Sequence, residues 1–394
     1  MGDSQYQIGV IGLGTAARMM LPAIAAHRGM ALAAVADPVQ EVRESVGAQW
    51  GVPSFESIEA LVAMQHLDAV YIATPTEMHA QHTCIAVQAG LHVLCEKPMA
   101  AHLEDAQTMV VAAARAQRVL MIGHSRSYDA PIHKMREIIE SGALGRVRMV
   151  TQLSYTDWIY RPRRPDELDP ARGGGITYRQ GAHQFDVIRL LAGGLATQVN
   201  ATTFDFDPAR PATGAHTVVI RFADGAIGNA IYNGYGAFLS AELSDDVDEG
   251  GFAADPAAIG ARRRAFGSVR GGEQRDETVA KRERAARMHR GQPPFHPSFG
   301  LTLVSCEKGD MRQSRNGISV YTAGGREDIA LPIPPGPQDM VVSEFHDALS
   351  GLRAPVHDGR WGLANLEVCV AATESARNGK EVALTRQVAV PMPR

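Results

Sequence analysis

The chain has 394 residues, of which 45% are hydrophobic and 21% are charged, and its formal net charge is −4. This apolar content excludes a generally disordered chain, and the near-neutral charge argues against a protein that coats nucleic acid, which needs a basic surplus. A chain of this length has room for two or three domains, each with its own hydrophobic core.

Cysteine usage and the lack of targeting signals predict a cytoplasmic protein. The four cysteines, at positions 84, 95, 306 and 369, are too far apart to form a CxxC pair. Neither a zinc site nor a disulfide framework is therefore expected. The first residues lack the basic stretch of a signal peptide, and no apolar run approaches the roughly 18–20 residues of a membrane span. We expect no membrane partner.

The first 124 residues alternate between short apolar runs and helical patterns. Strands are predicted within 6–14 and at 31–36, 68–73, 91–95 and 118–122. Helices are predicted at 15–28, 39–50, 77–89 and 102–117. This alternation predicts an α/β domain at 1–124, in which helices cover both faces of a parallel sheet.

The sequence from 125 to 394 predicts an α+β domain with an open, mostly antiparallel sheet. Extended segments are predicted at 147–155, 197–206, 215–222, 226–232, 299–306, 317–321 and 327–331, and the turn residues 223–225 indicate a hairpin. Helices are predicted at 130–142, 181–192, 340–350 and 361–378. Because an open sheet leaves one face to be covered, we expect a homo-oligomer, either a dimer or a tetramer.

A charged insertion interrupts this second domain at about 240–298. Residues 240–256 carry six acids and no Lys or Arg, whereas residues 261–290 carry ten Lys or Arg against four acids. The segment is either a solvated insertion whose halves neutralise each other, an arm that reaches a neighbouring subunit, or a flap over the active site. A nucleic-acid partner is not expected, because aromatic residues are almost absent from the basic half.

A glycine motif follows the first strand and opens the first helix. The run Gly12-Leu13-Gly14-Thr15-Ala16-Ala17 has the G-x-G-x-x-G/A pattern of dinucleotide sites. In such a loop the first glycine permits the tight turn, the second lets the backbone approach the pyrophosphate, and the helix N-terminus stabilises the phosphate charge. The sequence therefore predicts a Rossmann domain that binds a dinucleotide through Gly12, Gly14, Thr15 and Ala16.

Asp37 ends the second strand, twenty positions beyond Ala17. An acid at this place accepts hydrogen bonds from the adenosine ribose hydroxyls and repels a 2′-phosphate, so NAD is predicted over NADP. The alternative is a turn-forming aspartate, because Asp37 precedes Pro38.

Two further motifs lie at the carboxyl ends of strands, where α/β sheets bind ligands. Thr74-Pro75-Thr76 follows the third predicted strand, and Glu96-Lys97-Pro98 follows the fourth. Together with Gly181-Ala182-His183, at the start of a helix in a β-rich second domain, they make the chain resemble the Gfo/Idh/MocA family of oxidoreductases over nearly its whole length.

The resemblance implies roles for these residues. Lys97 and His183 would line the catalytic pocket beside the nicotinamide, Glu96 would shape the turn, and Thr74 and Pro75 would lie near the nicotinamide ribose. His79 is predicted near the same cofactor turn. His79 and His82 have a spacing that could hold a metal, but no third ligand is evident, so no metal is expected.

Physical chemistry supports the two catalytic candidates independently. Oxidising an alcohol requires a base for the hydroxyl proton as hydride leaves the carbon. His183 is predicted in the first turn of a helix, where the dipole disfavours the imidazolium and keeps the ring available as a base. Lys97 is expected to polarise the hydroxyl, or to act as the base if burial lowers its pKa.

The chain departs from the commonest family pattern at one position. Many members carry an acid four residues before the histidine, where this chain has Arg179. An arginine there cannot accept a proton, but it is able to bind an anionic substrate. Asp186, three residues after His183, is the remaining local acid and either orients the imidazole or faces solvent.

Within the family, the chain is most similar to the phthalate 4,5-cis-dihydrodiol dehydrogenases. This similarity lies in the arginine-rich stretch from Tyr160 to Pro170, in the run from Gly173 to His183, and in the charged insertion. Predicted substrate residues are Arg179 first, then Arg161 and Arg164, with Tyr160 and Asp186. Surface arginines usually pair with nearby acids, and this is the alternative interpretation for most of the five arginines in the segment, at positions 161, 163, 164, 172 and 179.

The expected function is NAD-dependent oxidation of a cis-dihydrodiol carboxylic acid, of the phthalate 4,5-cis-dihydrodiol type, to a catechol. The partner would be a small, aromatic-derived dicarboxylate diol. The alternatives are a sugar or cyclitol dehydrogenase of the same family and a non-catalytic NAD(H)-binding regulator, since a fold alone does not fix function.

Overall fold

The protein is described by a computed structural model that covers residues 5–269, 276–286, 292–333 and 336–391. It folds into two compact units. The first comprises Met1–Ser125 with Pro335–Leu366, and the second comprises Arg126–Pro334 with Glu367–Arg394. The sequence-based division at 124/125 lies next to the first boundary but differs over 335–366, which belongs to the first unit.

The first unit is built on a six-stranded parallel sheet of order β3-β2-β1-β4-β5-β6. Its strands are β1 Tyr6–Ile11, β2 Met30–Ala36, β3 Ser54–Phe55, β4 Ala69–Ile72, β5 His92–Cys95 and β6 Leu120–Ile122. Its first helices are α1 Thr15–Ala26, α2 Gln40–Trp50, α3 Ile58–Val62, α4 His79–Gln88 and α5 Leu103–Ala116. The strand order reverses between β1 and β4, so a ligand crevice is expected at their carboxyl ends.

The second unit is built on a nine-stranded sheet of order β14-β13-β12-β11-β7-β10-β9-β8-β15. Among these described strands β7 and β10 run parallel, and the other neighbours are antiparallel. The strands are β7 Val147–Tyr155, β8 Ala196–Phe204, β9 Ala215–Phe222, β10 Ile227–Asn233, β11 Leu301–Cys306, β12 Gly309–Ser314, β13 Gly317–Thr322, β14 Gly325–Ala330 and β15 Val382–Ala383. The helices within it are α6 Ala130–Ser141, α7 Gly175–Arg179, α8 Gly181–Leu191, α9 Ala261–Val269 and α10 Glu277–Ala286. The predicted α/β plus α+β architecture is confirmed.

Helix α8 lies flat against this sheet and is buried along its whole length. Gly228 of β10 makes the approach possible, because a Cβ atom there would lie 2.4 Å from Cγ2 of Ile188. The side chain of Gln184 fixes the helix further, since its Nε2 donates to the carbonyl of Ile231 at 3.1 Å. The sheet therefore sets the position of every side chain on α8, including that of His183.

The chain returns to the first unit near its end. Helix α11 spans Pro337–Leu349, and helix α12, which spans Gly359–Asn378, begins in the first unit. The N–H of Ile122 in β6 donates to the carbonyl of His357 at 2.8 Å, and a Cβ at Gly362 would lie 2.4 Å from Ile122. Residues 357–362 thus pack against the edge of the parallel sheet. Among the described helices none combines the length and apolar content needed to cross a membrane.

Candidate active site

The loop after β1 has the geometry that a dinucleotide phosphate needs. Gly12 has a φ of +85°, and a Cβ there would lie 2.7 Å from the backbone of residues 73 and 74, so only glycine fits. At Gly14 no described atom lies within 4 Å of the corresponding Cβ position. Thr15 and Ala16 form the first turn of α1, whose N-terminus receives no side-chain cap from Gly14 and contains no acid. The N–H groups of this turn can therefore receive an anion.

Asp37 connects the end of β2 to the glycine loop. Its Oδ2 accepts a hydrogen bond from the N–H of Leu13 at 2.9 Å, and its Oδ1 accepts one from the N–H of Val39 at 2.9 Å. The carboxylate thus shapes its own turn and lies beside the loop at the same time. On α2, Arg43 donates to the backbone carbonyls of Asp37 and Pro38, at 3.4 and 3.1 Å, which places a cation beside the backbone of this turn.

His79 joins the two motif turns at the carboxyl ends of β4 and β5. Its Nε2 lies 3.0 Å from the carbonyl oxygen of Thr74, and its Nδ1 lies 3.0 Å from that of Pro98. The ring is 1% exposed. Because both neighbours are acceptors, a neutral ring can donate to one turn only, whereas an imidazolium donates to both.

His82 contacts the same residue as His79, Thr74, but at a different atom. Its Nδ1 lies 3.1 Å from the hydroxyl oxygen of Thr74. In the described part of the chain no group of three His, Cys, Asp or Glu side chains is arranged to hold a metal ion. Pro75 precedes the short 3-10 turn Thr76–Met78, which leads into α4.

Glu96 fixes the turn that carries Lys97. Its Oε1 accepts from the hydroxyl of Tyr71 at 2.6 Å, and its Oε2 accepts from the N–H of Lys97 at 3.2 Å. Burial raises the pKa of the Glu96 carboxyl, and these hydrogen bonds oppose the rise. The half-buried Lys97 thus follows β5 on the same sheet edge as the glycine loop.

In the second unit, His183 lies in the first turn of α8. Its side chain is buried, and its ring packs edge-on against Phe299, with 5.2 Å between ring centroids. Phe299 precedes β11 and was not singled out in the sequence, because its position beside His183 depends on chain segments more than 100 residues apart. Phe299 belongs to an aromatic core with Trp158 and Tyr232.

Asp186 is fully buried, so it does not face solvent. Its charge acts on Arg189, whose pKa burial lowers to about 10 although Asp186 opposes that shift. The Nε of Arg189 also donates to Gln387 at 3.0 Å. Asp186 therefore compensates a buried cation on its own helix.

A second buried histidine, His216 of β9, lies near α8. Burial lowers the pKa of His216 to about 3, so the ring is neutral at physiological pH. His216 Nε2 donates to Oε1 of Gln184 at 2.9 Å, and its Nδ1 lies 3.2 Å from the hydroxyl of Thr177. This network orients Gln184 and leaves His183 as the titratable candidate on the helix.

The predicted substrate arginines all have protein carboxylates beside them. Arg164 makes two hydrogen bonds of 2.9 Å to Asp166, and Nη2 of Arg179 lies 3.5 Å from the same carboxylate. Arg161 donates from both terminal nitrogens to Glu249, at 3.0 and 3.2 Å. Burial lowers the pKa of Arg179, and the carboxylates of Glu167 and Asp166 oppose the shift. A substrate carboxylate would therefore have to share these guanidinium groups with acids of the chain.

The described part of the insertion folds back onto the arginine-rich segment. Besides the pair between Glu249 and Arg161, Arg262 donates to both oxygens of Asp157, at 2.6 and 2.8 Å. Lys281 lies 2.6 Å from Glu167. These contacts join residues 88 to 114 positions apart, and they show that this part of the insertion is packed and not simply solvated.

Tyr160 lies beneath the insertion as a core residue. Its ring is 5% exposed and lies 5.6 Å from that of Phe266 in α9 and 6.3 Å from that of Tyr235. The guanidinium of Arg263 lies 5.2 Å from the ring centroid of Tyr160. The insertion thus shares a hydrophobic core with the segment that precedes α7.

Comparisons with known proteins agree with this architecture. Residues 6–124 match the model of the Gfo/Idh/MocA oxidoreductase family, NAD-binding Rossmann fold, and residues 132–238 match a Gfo/Idh/MocA C-terminal domain. The insertion begins just beyond the second match.

Two curated relatives cover the chain to different extents. The 1-carboxy-3-chloro-3,4-dihydroxycyclo hexa-1,5-diene dehydrogenase of Comamonas testosteroni is 37% identical over 377 residues, which is 94% of this chain and 95% of that protein. The inositol 2-dehydrogenase of Rhizobium meliloti is 30% identical over 196 residues, which is 50% of this chain and 58% of that protein.

Solved structures share the fold. The putative dehydrogenase of Bordetella bronchiseptica RB50 has a TM-score of 0.90 and 37% identity, with 96% of this chain and 100% of that chain covered. The WlbA dehydrogenase of Bordetella pertussis has a TM-score of 0.72 and 23% identity, with 97% of this chain and 99% of that chain covered.

Proposed function

Because this chain belongs to the Gfo/Idh/MocA oxidoreductase family, we propose that it oxidises a carboxylated cis-dihydrodiol to a catechol with NAD as the oxidant. One observation carries the substrate class. The relative that matches 94% of this chain is named for a carboxylated dihydroxycyclohexadiene, whereas the inositol relative matches half of the chain. Among such substrates we propose the phthalate 4,5-cis-dihydrodiol type.

The cofactor fits the residues of the first unit. A pyrophosphate would lie over Gly14 and accept hydrogen bonds from the N–H groups at the start of α1, where no side chain caps the helix. The hydroxyl groups of the adenosine ribose would donate hydrogen bonds to Asp37. Each oxygen of this carboxylate accepts one backbone hydrogen bond and retains a further lone pair. This carboxylate disfavours a 2′-phosphate, and on this ground we propose NAD over NADP.

Oxidation of the alcohol removes a hydride from the carbinol carbon and a proton from its hydroxyl group. When bound, the nicotinamide accepts the hydride that leaves the carbinol carbon. His183 or Lys97 takes the proton of the hydroxyl, and the C–O bond becomes a carbonyl. The hydroxy-ketone then loses a ring C–H proton as its oxygen gains one, and the resulting aromatic ring draws the reaction forward.

The position of each candidate base suits this step. His183 lies at the N-terminal end of α8, where the helix dipole disfavours the imidazolium and leaves the ring able to accept a proton. Lys97 is held at the sheet edge by the hydrogen bond from its N–H to Glu96, so its ammonium can polarise the substrate oxygen.

The experiment that tests the proposal measures NADH formation by the purified protein on a panel of alcohols. The panel contains a phthalate-type cis-dihydrodiol, an uncharged arene cis-dihydrodiol, myo-inositol and common aldoses. We expect the carboxylated diol to have the highest kcat/KM, and Lys97→Met and His183→Asn each to lower kcat by roughly 10²–10⁴-fold. Turnover of sugars or inositol alone would support the cyclitol alternative, and NADH binding without any turnover would support a regulator.

We also propose that the protein is a homodimer or homotetramer that covers the open face of the nine-stranded sheet. That sheet exposes apolar side chains, including Met149 of β7, 39% exposed, and Phe204 of β8, 38% exposed. Light scattering should give two or four times the 42.3 kDa chain mass. A mass of one chain at micromolar concentration would contradict this proposal.

A further inference from the structure

We propose that Arg126, assisted by Arg284 of the insertion, binds a carboxylate of the substrate beside His183. The inference rests on the proposed function and extends it, because neither arginine belongs to the arginine-rich segment singled out in the sequence. The relevant charges surround one carboxylate, and we call this group the Glu249 cluster. Its members are Arg126, Asp157, Arg161, Glu249, Arg262 and Arg284.

Arg126 and His183 both lie beside one aromatic residue, Phe299. The guanidinium carbon of Arg126 lies 5.1 Å from the ring centroid of Phe299, and the ring of His183 contacts that same ring. Arg126 and His183 therefore border one aromatic side chain. A flat six-membered ring that rests near Phe299 can present a hydroxyl to the imidazole and a carboxylate to the guanidinium.

The guanidinium of Arg126 makes weaker contacts with protein acids than Arg161 and Arg164 do. Nη2 of Arg126 donates to the backbone carbonyl of Glu249 at 3.2 Å, and Nη1 lies 3.9 Å from Oδ2 of Asp129. Arg161 and Arg164, by contrast, each make two hydrogen bonds of 3.2 Å or less to a single carboxylate. Arg126 is 18% exposed and thus retains donors for an anion from outside the chain.

The Glu249 cluster contains more arginines than carboxylates. Glu249 is neutralised by the two-point contact with Arg161, and Asp157 by Arg161 and Arg262. Four arginines thus share these two carboxylates and the more distant Asp129, which lies 3.9 Å from Arg126 and whose pKa burial raises to about 7. Buried charges are stable when paired, so the surplus of positive charge predicts an anionic ligand.

Arg284 supplies part of this surplus from α10. No described carboxylate lies within 4.0 Å of its guanidinium. Burial lowers the pKa of Arg284 to about 10, and the neighbouring cations Arg161 and Arg262 contribute to the shift. A buried guanidinium without a nearby carboxylate destabilises the folded protein, and a bound anion would remove this cost.

The insertion therefore contributes to specificity in two ways. The backbone carbonyl of Glu249 orients Arg126, and α10 brings Arg284 toward the side-chain carboxylate of Glu249. The C-terminal family match ends at residue 238, before both of these contributions, whereas the relative named for a carboxylated diene aligns with 94% of the chain. This agrees with a carboxylate site added to a general dehydrogenase fold.

The test measures binding separately from turnover. Phthalate, a planar vicinal dicarboxylate, is titrated calorimetrically into the protein with NADH present, and dimethyl phthalate serves as the uncharged control ligand. The variants are Arg126→Met, Arg126→Lys and Arg284→Met. Arg312→Met is the matched control, because Arg312 is a half-buried arginine of the same unit whose Nη2 lies 3.6 Å from Asp245.

We expect Arg126→Met to weaken phthalate binding about tenfold to a hundredfold, and Arg126→Lys to weaken it less. Arg284→Met should also weaken binding, yet its unliganded melting temperature should equal or exceed that of the wild type. Arg312→Met should bind phthalate normally. In kinetics, Arg126→Met should raise KM for the carboxylated diol by a larger factor than KM for an uncharged cis-diol.

The outcomes separate this inference from the proposed reaction. Equal phthalate affinity in wild type and Arg126→Met, or no binding by the wild type, overturns the carboxylate site while turnover of the diol still supports the reaction. An equal loss of activity on charged and uncharged diols assigns Arg126 a structural role and likewise overturns the site. Phthalate binding that depends on Arg126, without turnover of any diol, supports the site and contradicts the reaction.

Discussion

Asp37 illustrates how much a single residue does at this site. Its carboxylate accepts backbone hydrogen bonds from Leu13 and Val39, so it joins the glycine loop to the end of β2. The two interpretations of Asp37 as a turn residue and as a ribose ligand are therefore compatible. The contribution to cofactor choice that we propose for it depends on charge, whereas its contribution to the turn depends on hydrogen bonding.

Asp37→Ser separates these two contributions. The serine keeps one acceptor for the turn but removes the charge that repels a 2′-phosphate, and Arg43 would then face that phosphate. We expect the ratio of kcat/KM for NAD over NADP to fall about tenfold, which corresponds to about 1.4 kcal/mol. The double variant with Arg43→Met should recover part of the preference for NAD. Unchanged kinetics with both cofactors would show that Asp37 acts in the turn alone.

Asp129 gives the protein a pH-dependent stability. Burial raises the pKa of this carboxyl from 3.8 to about 7, although Arg126 opposes the rise. The folded protein thus keeps a proton that the unfolded chain releases near pH 4, so stability falls as the pH rises from about 4 to about 7. Asp129→Asn should remove this loss.

Thermal melts at pH 5 and pH 8 test the effect. Relative to wild type, Asp129→Asn should gain roughly 2–4 kcal/mol of unfolding free energy between pH 5 and pH 8. Glu56→Gln, which removes one exposed carboxylate, should show the same small difference at both pH values. A constant offset for Asp129→Asn would contradict the argument.

At the scale of secondary-structure elements, local sequence signals predict this protein well. The glycine loop, the parallel strands and the hairpin between β9 and β10 each depend on neighbouring residues, and all are found. The two-residue strand β3 and the five-residue helices α3 and α7 are too short to show a period, so they were missed.

The charges of the site could not be predicted in the same way. Arginine side chains are long, and which acid each one meets depends on segments remote in sequence. Glu249 is 88 residues from Arg161, and Arg262 is 105 residues from Asp157. Pairing with nearby acids, as between Arg179 and Asp166 at 3.5 Å, is the alternative that the sequence predicts, whereas the pairs with the insertion carry no sequence signal. Arg126 and Phe299 carried no local signal at all.

The contact between α8 and β10 gives an element-scale prediction. Gly228→Ala places a methyl group against Ile188, so the helix that carries His183 must move away from the sheet. Overpacking of this kind costs about 1–3 kcal/mol. We expect a lower melting temperature and a lower kcat on any substrate, with NAD affinity unchanged.

Gly324→Ala is the matched control for this substitution. Gly324 lies in the turn between β13 and β14, where the new methyl group would meet nothing closer than 3.5 Å. This variant should melt and turn over like the wild type. If Gly228→Ala does the same, the position of α8 does not depend on that close approach.

At the scale of the whole molecule, the chain builds its cofactor unit from two distant segments. Residues 335–366 complete a unit whose other part ends at residue 125. A sequence-based division places the boundary where the βαβ rhythm stops, because the later helices α11 and α12 do not show which sheet they cover. The packing of Gly359 against Leu120 and of Gly362 against Ile122 reveals it.

This division predicts which fragments fold. A fragment of residues 1–125 should expose the apolar edge at β6 and bind NADH weakly or aggregate. A fusion of residues 1–125 to 335–366 through a flexible linker should give a sharper melting transition and tighter NADH binding, measured by fluorescence titration. Equal behaviour of the two fragments would show that the returning segment is dispensable.

The order in which the ribosome makes the chain gives this returning segment a further consequence. The carbonyl of His357 that accepts from Ile122 is synthesised about 235 residues later, which at ordinary elongation rates means a delay on the order of 10–50 s. During that interval the edge of β6 is left without its final cover. The nascent cofactor domain therefore waits for nearly the entire message to be read, and it is a natural client for chaperones that shield an incomplete surface.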